Sequence, residues 1–346
     1  MAVTNDEAMI KSLAEAYERY TSGIMRVDAI SPATQLGETA WLDPRQIVPL
    51  RPFAFQYYDL VEFDPSHNCQ WVLGKRYSSG EPVMVPVDLV FYPLAETQIG
   101  RVPCYSCSSN GVAAHTDQGV AAEKALLELI ERDAISVTWY AKRKVSALPA
   151  SVLPKDIQLR MNHWTRKGYG VKFLNLTLDS VPVVLATIYS RVHYPHFISG
   201  AAAGFNWSEA IVKAWDEAEL LLLNLRHGKR VKPLHFQEVR SPANHGSIYY
   251  IGDNLDQIKW LVDAEEAEVS APSIRDGFEL LGLFNPVLLD ITPAESGCDL
   301  KVVRAISENL LPINFGYGNE HVGHKRLSDL GLEWKRKFPS FPHFFA

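Results

Sequence analysis

The sequence predicts a single α+β domain, residues 1–346, in which mixed or antiparallel sheets pack against helices. Apolar runs rich in strand-forming residues, such as WVLGKRY and PVMVPVDLVFY, lie between Gly and Pro breaks and predict strands. Long segments with helical periodicity occur near the N-terminus and in the centre. A turn of small residues followed by an acidic helix occurs twice, which indicates internal duplication. No linker or change of composition divides the chain.

The first half of the chain begins with an amphipathic helix predicted over residues 5–22. Residues 47–63 and 69–93 are predicted to form strands, with the Ser-Ser-Gly at 78–80 as a hairpin turn. A long helix is predicted at roughly 118–140, after the turn Ser108-Ser109-Asn110-Gly111.

The second half continues the alternation of helices and strands. A helix at 155–167 precedes two antiparallel strands, VKFLNLTL and VPVVLATIYS. The segment SGAAAGFNWSEAIVKAWDEAELLLLNL then repeats the small-residue turn and the acidic helix. It is followed by a polar loop at 240–246, a helix DNLDQIKWLVDAEEAE, and the strands FNPVLLDIT and LKVVRAIS.

The composition excludes several classes of protein. The chain is 47% hydrophobic and 21% charged, which is typical of an ordered globular protein. A formal net charge of -6 argues against general binding to nucleic acid or to anionic membranes. We find no apolar segment of membrane-spanning length and no signal peptide, and we therefore expect a cytoplasmic location.

Two copies of the pattern Glu-x-x-Glu-Arg predict the functional site. Residues i and i+3 share one side of a helix, so each copy presents two carboxylates together. Mg²⁺ typically takes one or two carboxylates and keeps its other positions for phosphate and water, and an adjacent Arg can bind phosphate oxygens. The pattern therefore predicts a magnesium-nucleotide site formed by Glu15, Glu18 and Arg19 with Glu128, Glu131 and Arg132.

A structural explanation of the same pattern is that Glu15 with Arg19, and Glu128 with Arg132, are ordinary ion pairs on exposed helices. Two observations favour the functional interpretation. The pattern occurs twice, and the helix LLELIERDAISVTWY has little room for a solvated face. Burying an acidic cluster without a cation would cost too much free energy.

Other polar motifs allow more than one interpretation. The Ser108–Gly111 turn is able either to cap the following segment or to hold a phosphate or carbonyl with its hydroxyl, amide and N–H groups. No P-loop or dinucleotide motif is present. Cys104 and Cys107 have the spacing of half a zinc site or a redox pair, but a second pair is missing, so buried thiols are the alternative. His321 and His324 lack the zincin arrangement.

The segments SSNGVAAHT and ALLELIERDA closely resemble the signature of YcaO-domain proteins, and EAYERY resembles their first ATP-binding motif. The likeness extends through GFNWSEAIVKAWDEAE, LLDIT, VVRAI and the proline-bearing tail at 338–346. The resemblance implies a YcaO-type fold and an enzyme that uses ATP and Mg²⁺. In azoline-forming members, a Cys, Ser or Thr of a precursor peptide attacks the preceding amide, whose oxygen is phosphorylated and leaves, giving a thiazoline or oxazoline.

The resemblance also implies roles for individual residues. Glu217 would join the four glutamates above as a further magnesium ligand. The nucleotide or the substrate would contact Ser12, Arg19, Ser109, Asn110, Arg132 and Arg304. The tail would reach the active site, where Pro342 and Ala346 are candidate catalytic residues. The sequence departs from the family pattern at three places: the tail keeps only two prolines, Val120 stands where relatives often carry Glu, and Leu220 stands where Gln is expected.

The resemblance predicts partners as well as a substrate. The resemblance leads us to expect a chain without the additional N-terminal region with which fused cyclodehydratases bind the leader peptide. We therefore expect a separate E1-like partner that binds the leader of the precursor peptide, together with an FMN-dependent dehydrogenase that oxidises azolines. A homodimer within that complex is a further expectation. Two alternatives stay open: a thioamide- or amidine-forming enzyme that uses another nucleophile, and a non-catalytic scaffold.

Overall fold

The computed structural model describes residues 5–92, 100–295 and 297–345, in which two β-sheets pack against helices, and the predicted α+β class is confirmed. The α-helices are α1 Asn5–Ser22, α2 Pro44–Ile47, α3 Pro52–Tyr58, α4 Gln118–Tyr140, α5 Lys155–Arg166, α6 Trp207–His227, α7 Pro242–Tyr250, α8 Lys259–Val262, α9 Gly277–Phe284 and α10 Arg326–Asp329. Short 3-10 helices are Ala33–Gln35, Val87–Leu89, Ala150–Val152, Phe236–Glu238 and Leu255–Gln257. The strands are β1 Ala29–Ser31, β2 Ala40–Trp41, β3 Cys69–Arg76, β4 Pro82–Pro86, β5 Val112–His115, β6 Ser146–Ala147, β7 Gly170–Asn175, β8 Val183–Tyr189, β9 Phe197–Ala203, β10 Val287–Asp290 and β11 Lys301–Ile306.

The first sheet has seven strands, in the order β2-β4-β3-β10-β11-β5, with β1 paired to β3. Its pairs are antiparallel except for β2 with β4, which are parallel. The second sheet is antiparallel, in the order β6-β7-β8-β9. Both β5 and β9 are edge strands. The predicted combination of mixed and antiparallel sheets is confirmed.

Helix α4 lies between the two sheets and contacts β5 and β11 of the first and β8 and β9 of the second. Alternation along the strands explains this layering, because successive side chains point to opposite faces. On β8, Leu185 belongs to the core around α4, whereas Ala186 belongs to the core under α5 and α6. The layers therefore follow one order: the first sheet, helix α4, the second sheet, and then helices α5 and α6 together.

Each edge strand is flanked by an acidic helix. Helix α1 contacts β5, and helix α6 contacts β9. Gly200 allows the second approach, because a Cβ at that position would collide with the backbone of Ala214 and Ala218. The segment SGAAA, predicted as a turn, is the strand β9, since small side chains are what lets α6 lie close to it.

Three further predicted elements are wrong. Residues 47–63 contain helix α3, not a strand, because Pro52 occupies the first helical turn, where its missing N–H costs nothing. The predicted loop 240–246 begins helix α7, whose residues from His245 onward are buried. The predicted helix 253–268 is broken: the main chain of Glu265 and Ala267 bonds to Ala147 of β6 instead.

The remaining predicted elements are found. Helix α4 and the hairpin between β3 and β4 lie where the sequence placed them, and the predicted strand at 69–93 ends earlier, at Pro86. Residue 93, the last of that predicted strand region, is outside the described residues, and so is Ala346. No helix within the described residues is both long and apolar enough to cross a membrane.

Candidate functional site

The turn before β5 is tied to helix α4 by a hydrogen bond. The N–H of Gly111 donates to Oε2 of Glu128 at 3.0 Å. Gly111 has φ +79, and a Cβ there would lie 2.7 Å from Cδ2 of Leu129 and 2.8 Å from the carbonyl oxygen of Ala305. Glycine is therefore required at this turn. Its N–H fixes one oxygen of Glu128.

Arg132 is a buried cation next to two carboxylates. Its Nη1 lies 2.7 Å from Oε1 of Glu131, and its Nη2 lies 3.4 Å from Oε1 of Glu128. The contact with Glu131 lacks hydrogen-bond geometry, and Nε and Nη1 have no hydrogen-bond partner among the described residues. The Phe345 ring lies 4.4 Å from the guanidinium carbon. Arg132 thus keeps donors that an anionic ligand could use.

Glu18 brings α1 to this site. The pKa of Glu18 is raised to about 7, mainly by burial and also by the charge of Glu128, although a hydrogen bond from the N–H of Ala114 on β5 lowers it. A carboxyl group with this pKa is partly protonated at neutral pH. A cation at the site would favour its charged form.

Glu131 and Glu217 meet across the edge of the second sheet. The N–H of Ala201 donates to Oε2 of Glu217 at 2.7 Å, and the N–H of Ala203 donates to Glu131. The pKa of Glu131 is raised to about 8, mainly by burial and also by the charges of Glu217 and Glu128, although the charge of Arg132 lowers it. Burial also raises the pKa of Glu217. We call Glu18, Glu128, Glu131 and Glu217 the carboxylate cluster.

The carboxylate cluster fits Mg²⁺ with a phosphate-bearing ligand better than a metal held by protein alone. Its donors are hard oxygens, and burial raises the pKa values of Glu18, Glu131 and Glu217, so a bound cation would stabilise their charged forms. Among the described residues, no three His, Cys, Asp or Glu side chains are close enough together to hold a metal ion. Mg²⁺ usually has one or two carboxylate ligands and completes its shell with phosphate and water.

The other predicted residues of α1 lie on its exposed side. Glu15 and Arg19 form an ion pair of 2.6 Å with both side chains more than half exposed. Ser12 donates its hydroxyl to the carbonyl oxygen of Ala8 at 2.9 Å. The structure therefore brings Glu18 to the cluster and leaves Ser12, Glu15 and Arg19 exposed to solvent.

Arg304 holds the other side of the turn. Its Nη1 donates to the carbonyl oxygen of Ser108 at 2.7 Å, and its Nη2 contacts Sγ of Cys107 at 2.8 Å. Its Nε has no partner among the described residues. Asn110 and Arg304 line a small cavity of about 40 Å³, and Ser109 bonds to Tyr92.

Residues 342–345 of the C-terminal tail are buried. The carbonyl oxygen of Pro342 accepts from the Tyr249 hydroxyl at 2.6 Å, and that of Phe341 accepts from Nε1 of Trp139 at 3.2 Å. Phe345 then reaches Arg132. Pro342 is thus a structural anchor in this conformation, and Ala346 lies outside the described residues.

The cysteine and histidine pairs have separate surroundings. Sγ of Cys104 lies 3.2 Å from the buried carboxylate of Asp88, whereas Cys107 contacts Arg304; both thiols are free. Burial lowers the pKa of His321 to about 3 and that of His324 to about 4. These four residues belong to no metal-holding group in the described chain.

Two of the three departures from the family pattern, Val120 and Leu220, differ in position. Val120 lies in the first turn of α4, on the wall of an open cavity of about 1050 Å³. At a helical rise of ~1.5 Å per residue, it is ~12 Å along the axis from Glu128. Leu220 is 54% exposed on α6, three residues after Glu217.

Sequence reasoning missed the main-chain groups of the site. Gly111, Ala114, Ala201 and Ala203 each donate an N–H to one member of the carboxylate cluster. These four donors lie in the runs GVAA and SGAAA. An edge strand has N–H groups without a strand partner, and small side chains leave room for a carboxylate to reach them. Sequence reasoning also missed the segment 313–319, where two glycines alternate with aromatic residues.

Comparisons with known proteins agree with this geometry. The family model described as YcaO cyclodehydratase, ATP- and Mg²⁺-binding, matches residues 1–311. A heterocyclase solved in complex with substrate and cofactor superposes with a TM-score of 0.72 at 19% identity, over 90% of this chain and 44% of that one. YcaO from Methanopyrus kandleri, bound with AMPPCP and Mg²⁺, has a TM-score of 0.62 at 19% identity, over 89% and 77%.

The E. coli microcin synthetase McbBCD complex with pro-MccB17 bound contains a chain with a TM-score of 0.63 at 14% identity, over 90% of this chain and 81% of that one. No curated protein sequence matches the chain. The chain spans less than half the length of the first two heterocyclases that it resembles. These structures share its fold, and the family match over residues 1–311 shows that the chain belongs to the YcaO cyclodehydratase family.

Proposed function

We propose that this chain is the catalytic subunit of a heterocycle synthetase. It converts Cys, Ser or Thr of a ribosomally made precursor peptide into thiazoline or oxazoline, with ATP and Mg²⁺. The observation that carries the proposal is the carboxylate cluster around Arg132. It gathers four glutamates from α1, α4 and α6 at the edges of both sheets.

The reaction needs a leaving group that an amide does not have. The side-chain nucleophile adds to the carbonyl carbon of the preceding residue, and the former carbonyl oxygen must then depart. Bound ATP supplies the phosphoryl group that makes this oxygen a good leaving group. Catalysis therefore consists mainly of positioning and of neutralising charge.

The residues of this chain supply those two effects. Glu128, Glu131, Glu18 and Glu217, each oriented by a main-chain N–H, would supply one or two carboxylates to each Mg²⁺, with phosphate and water completing the shell. Arg132 would bind phosphate oxygens with donors that lack a partner. Arg304 keeps the Ser108–Gly111 turn in place, so that Ser109 and Asn110 line the reacting centre. Ser12, Glu15 and Arg19 would join only through a bound nucleotide that contacts α1.

The proposed partners are inferred from the structural neighbours. One neighbour is a heterocyclase in complex with substrate and cofactor, and another belongs to a synthetase complex with a bound pro-peptide. We therefore propose that this chain acts on a precursor peptide together with an E1-like leader-binding protein. An FMN-dependent dehydrogenase would act afterwards on the azolines.

The deciding experiment is mass spectrometry of a pool of synthetic Cys-, Ser- and Thr-containing peptides incubated with the protein, ATP and Mg²⁺. Cyclodehydration removes one water per modified residue, whereas exchange of oxygen for sulfur adds mass. ATP-dependent loss of water supports the proposal. A mass gain that needs added sulfide would replace it with thioamide formation, and unchanged peptides with unchanged ATP would favour a scaffold.

A further inference from the structure

A cavity of about 300 Å³ opens beside the Ser108–Gly111 turn. One wall is formed by the turn and the residues before it, and the other by the segment 313–319 and the aromatic end of α3. We call it the turn cavity, and it is lined by Tyr58, Tyr92, Tyr105, Ser106, Cys107, Ser108, Ser109, Arg240, Pro242, Ile313, Asn314, Phe315 and Asn319.

The turn cavity has a buried floor and an exposed rim. Asn314 and Asn319 are 4% and 6% exposed, whereas Ser106 and Arg240 are exposed. Nδ2 of Asn319 donates to the carbonyl oxygen of Phe315 at 3.1 Å. Because that carbonyl can only accept, the amide orientation is set, and Oδ1 remains without a partner in the described chain. The floor therefore holds an unused hydrogen-bond acceptor.

Aromatic side chains keep the cavity wall in its shape. Gly316 and Gly318 both have positive φ, and a Cβ on either would collide with Tyr58 or Phe53 of α3. The Tyr58 hydroxyl donates to the carbonyl oxygen of Tyr317 at 2.9 Å. The segment is therefore clamped against α3. The shape of the cavity is therefore fixed by the packing of this segment against α3.

The lining chemistry selects a ligand class. No carboxylate lines the cavity among the described residues, and its charged lining residue is Arg240, whose guanidinium packs 3.2 Å from the Tyr57 ring centre. Hydroxyls, amides and aromatic faces suit a peptide backbone, which offers one N–H and one C=O per residue. The volume lies at the lower end of ligand pockets, which start at about 300 Å³.

The inner end of the cavity adjoins the carboxylate cluster. Tyr92 bonds to Ser109 and lies near enough to Glu18 for that charge to affect it. A group held in the cavity is thus next to the proposed phosphoryl-transfer centre, whereas Arg240 lies at the outer rim. A cationic side chain at that rim would be repelled, and an anionic one attracted.

We propose that the turn cavity is a substrate subsite that receives the peptide residue neighbouring the one to be cyclised, accepts neutral or acidic side chains and rejects Lys and Arg. This inference rests on the proposed function, since it presumes a peptide substrate. In this proposal, Arg240 at the rim and Asn319 at the floor determine which neighbouring residue of the peptide the cavity accepts.

Two blocked peptides serve as probes: N-acetyl-Gly-Asp-Ser-Gly amide and N-acetyl-Gly-Lys-Ser-Gly amide. Saturation-transfer NMR measures their binding without any turnover. We expect the Asp peptide to give a signal roughly fivefold stronger than the Lys peptide, and Arg240→Glu to invert that ratio. Misfolding cannot produce an inversion. Equal signals from the wild type, no signal from either peptide, or a ratio unchanged in Arg240→Glu would overturn the proposal.

A second variant tests the location of binding. Ser106→Phe places a ring at the exposed rim, and Ser79→Phe places the same ring on the β3–β4 hairpin as the matched control. We expect only Ser106→Phe to lower the Asp-peptide signal severalfold, with ATP·Mg²⁺ binding unchanged in equilibrium dialysis. Loss of ATP binding with an unchanged peptide signal would make the cavity a nucleotide pocket. Water loss from the peptide pool tests the proposed function separately.

Discussion

Helices α4 and α6 are built alike and use their acidic residues differently. Each follows an edge strand of small residues, and each begins at a side-chain cap, Asp117 for α4 and Asn206 for α6. On α4, Arg132 contacts two glutamates and keeps unpartnered donors. On α6, Asp216 and Glu219 are instead paired with Arg160 of α5, at 2.7 Å and 2.5 Å.

The difference shows which acids are available to a ligand. Glu219 also accepts from Nε1 of Trp164 at 2.7 Å, so its oxygens are engaged in packing α6 against α5. Glu217, between these two residues, points to the sheet edge and accepts a hydrogen bond from the main-chain N–H of Ala201. Helix α6 therefore contributes Glu217 to the cluster, whereas α4 contributes Glu128 and Glu131.

The largest expected effect comes from Glu131→Gln. We expect ATP turnover to fall by about a thousandfold, roughly 4 kcal/mol, because an anionic oxygen at the metal is lost. The melting temperature should not fall at neutral pH, since burial already raises the pKa of Glu131 to about 8 and Gln removes repulsion from Glu128 and Glu217. Phosphate release and thermal unfolding measure the two effects.

Glu219→Gln is the matched control on the other helix. Its charge pairs with Arg160 in a largely buried setting, so we expect a loss of ~2–3 kcal/mol of stability and ATP turnover within about threefold of wild type. Equal loss of ATP turnover in Glu131→Gln and Glu219→Gln would show that Glu219 also serves the site and is not limited to packing α6 against α5.

The fold class could be predicted because periodicity and turn chemistry act locally. Helix α4 and the strands β7 and β8 follow from such patterns. The failures occur where distant contacts decide. Residues 265–267 leave the helical pattern to bond with Ala147 of β6, and the SGAAA segment becomes a strand because β8 and α6 enclose it.

The site could be predicted only in part for the same reason. The Glu-x-x-Glu-Arg spacing places Glu128 and Glu131 on one side of a helix, but it is identical around Glu15 and Glu18, where one residue is solvent-exposed and the other half-buried. Spacing along one helix does not reveal which side faces a sheet edge. That information requires the packing of α1 against β5.

Acid pH should weaken the end of α4 that the C-terminal tail covers. Burial lowers the pKa of His343 from 6.5 to about 4, so the folded state keeps this ring neutral while the unfolded chain binds a proton. The stabilisation is complete above pH 6.5 and is lost as pH falls toward 4. We expect a loss of up to ~3 kcal/mol from this residue, measured by urea unfolding at pH 7.5 and pH 4.5.

The matched variant for this prediction is His343→Gln, which removes the titrating ring. Its stability should depend less steeply on pH than that of the wild type over the same interval. Since Phe345 covers Arg132 of α4, loss of the tail should affect that helix first. Identical pH dependence in both proteins would show that His343 does not anchor the tail.

Gly200→Ala tests how closely α6 must approach its edge strand. The added Cβ would collide with the backbone of Ala214 and Ala218, so α6 must shift and carry Glu217 away from the N–H of Ala201. We expect the Mg²⁺ concentration for half-maximal ATP turnover to rise about tenfold, and Mn²⁺ binding followed by electron paramagnetic resonance to weaken in parallel. Gly282→Ala on α9 has no atom within 4 Å of the new Cβ and should change neither value.

The smallest expected effect is that of Leu220→Gln, which restores the residue expected in the family. Leu220 is 54% exposed on α6, so the change should alter stability by less than ~0.5 kcal/mol. If α6 gives the site Glu217 alone, ATP affinity and turnover should change by less than about twofold, as measured by equilibrium dialysis and phosphate release. A gain of fivefold or more in affinity would show that the new amide reaches the nucleotide, and α6 would then contribute a second ligand, as α4 does.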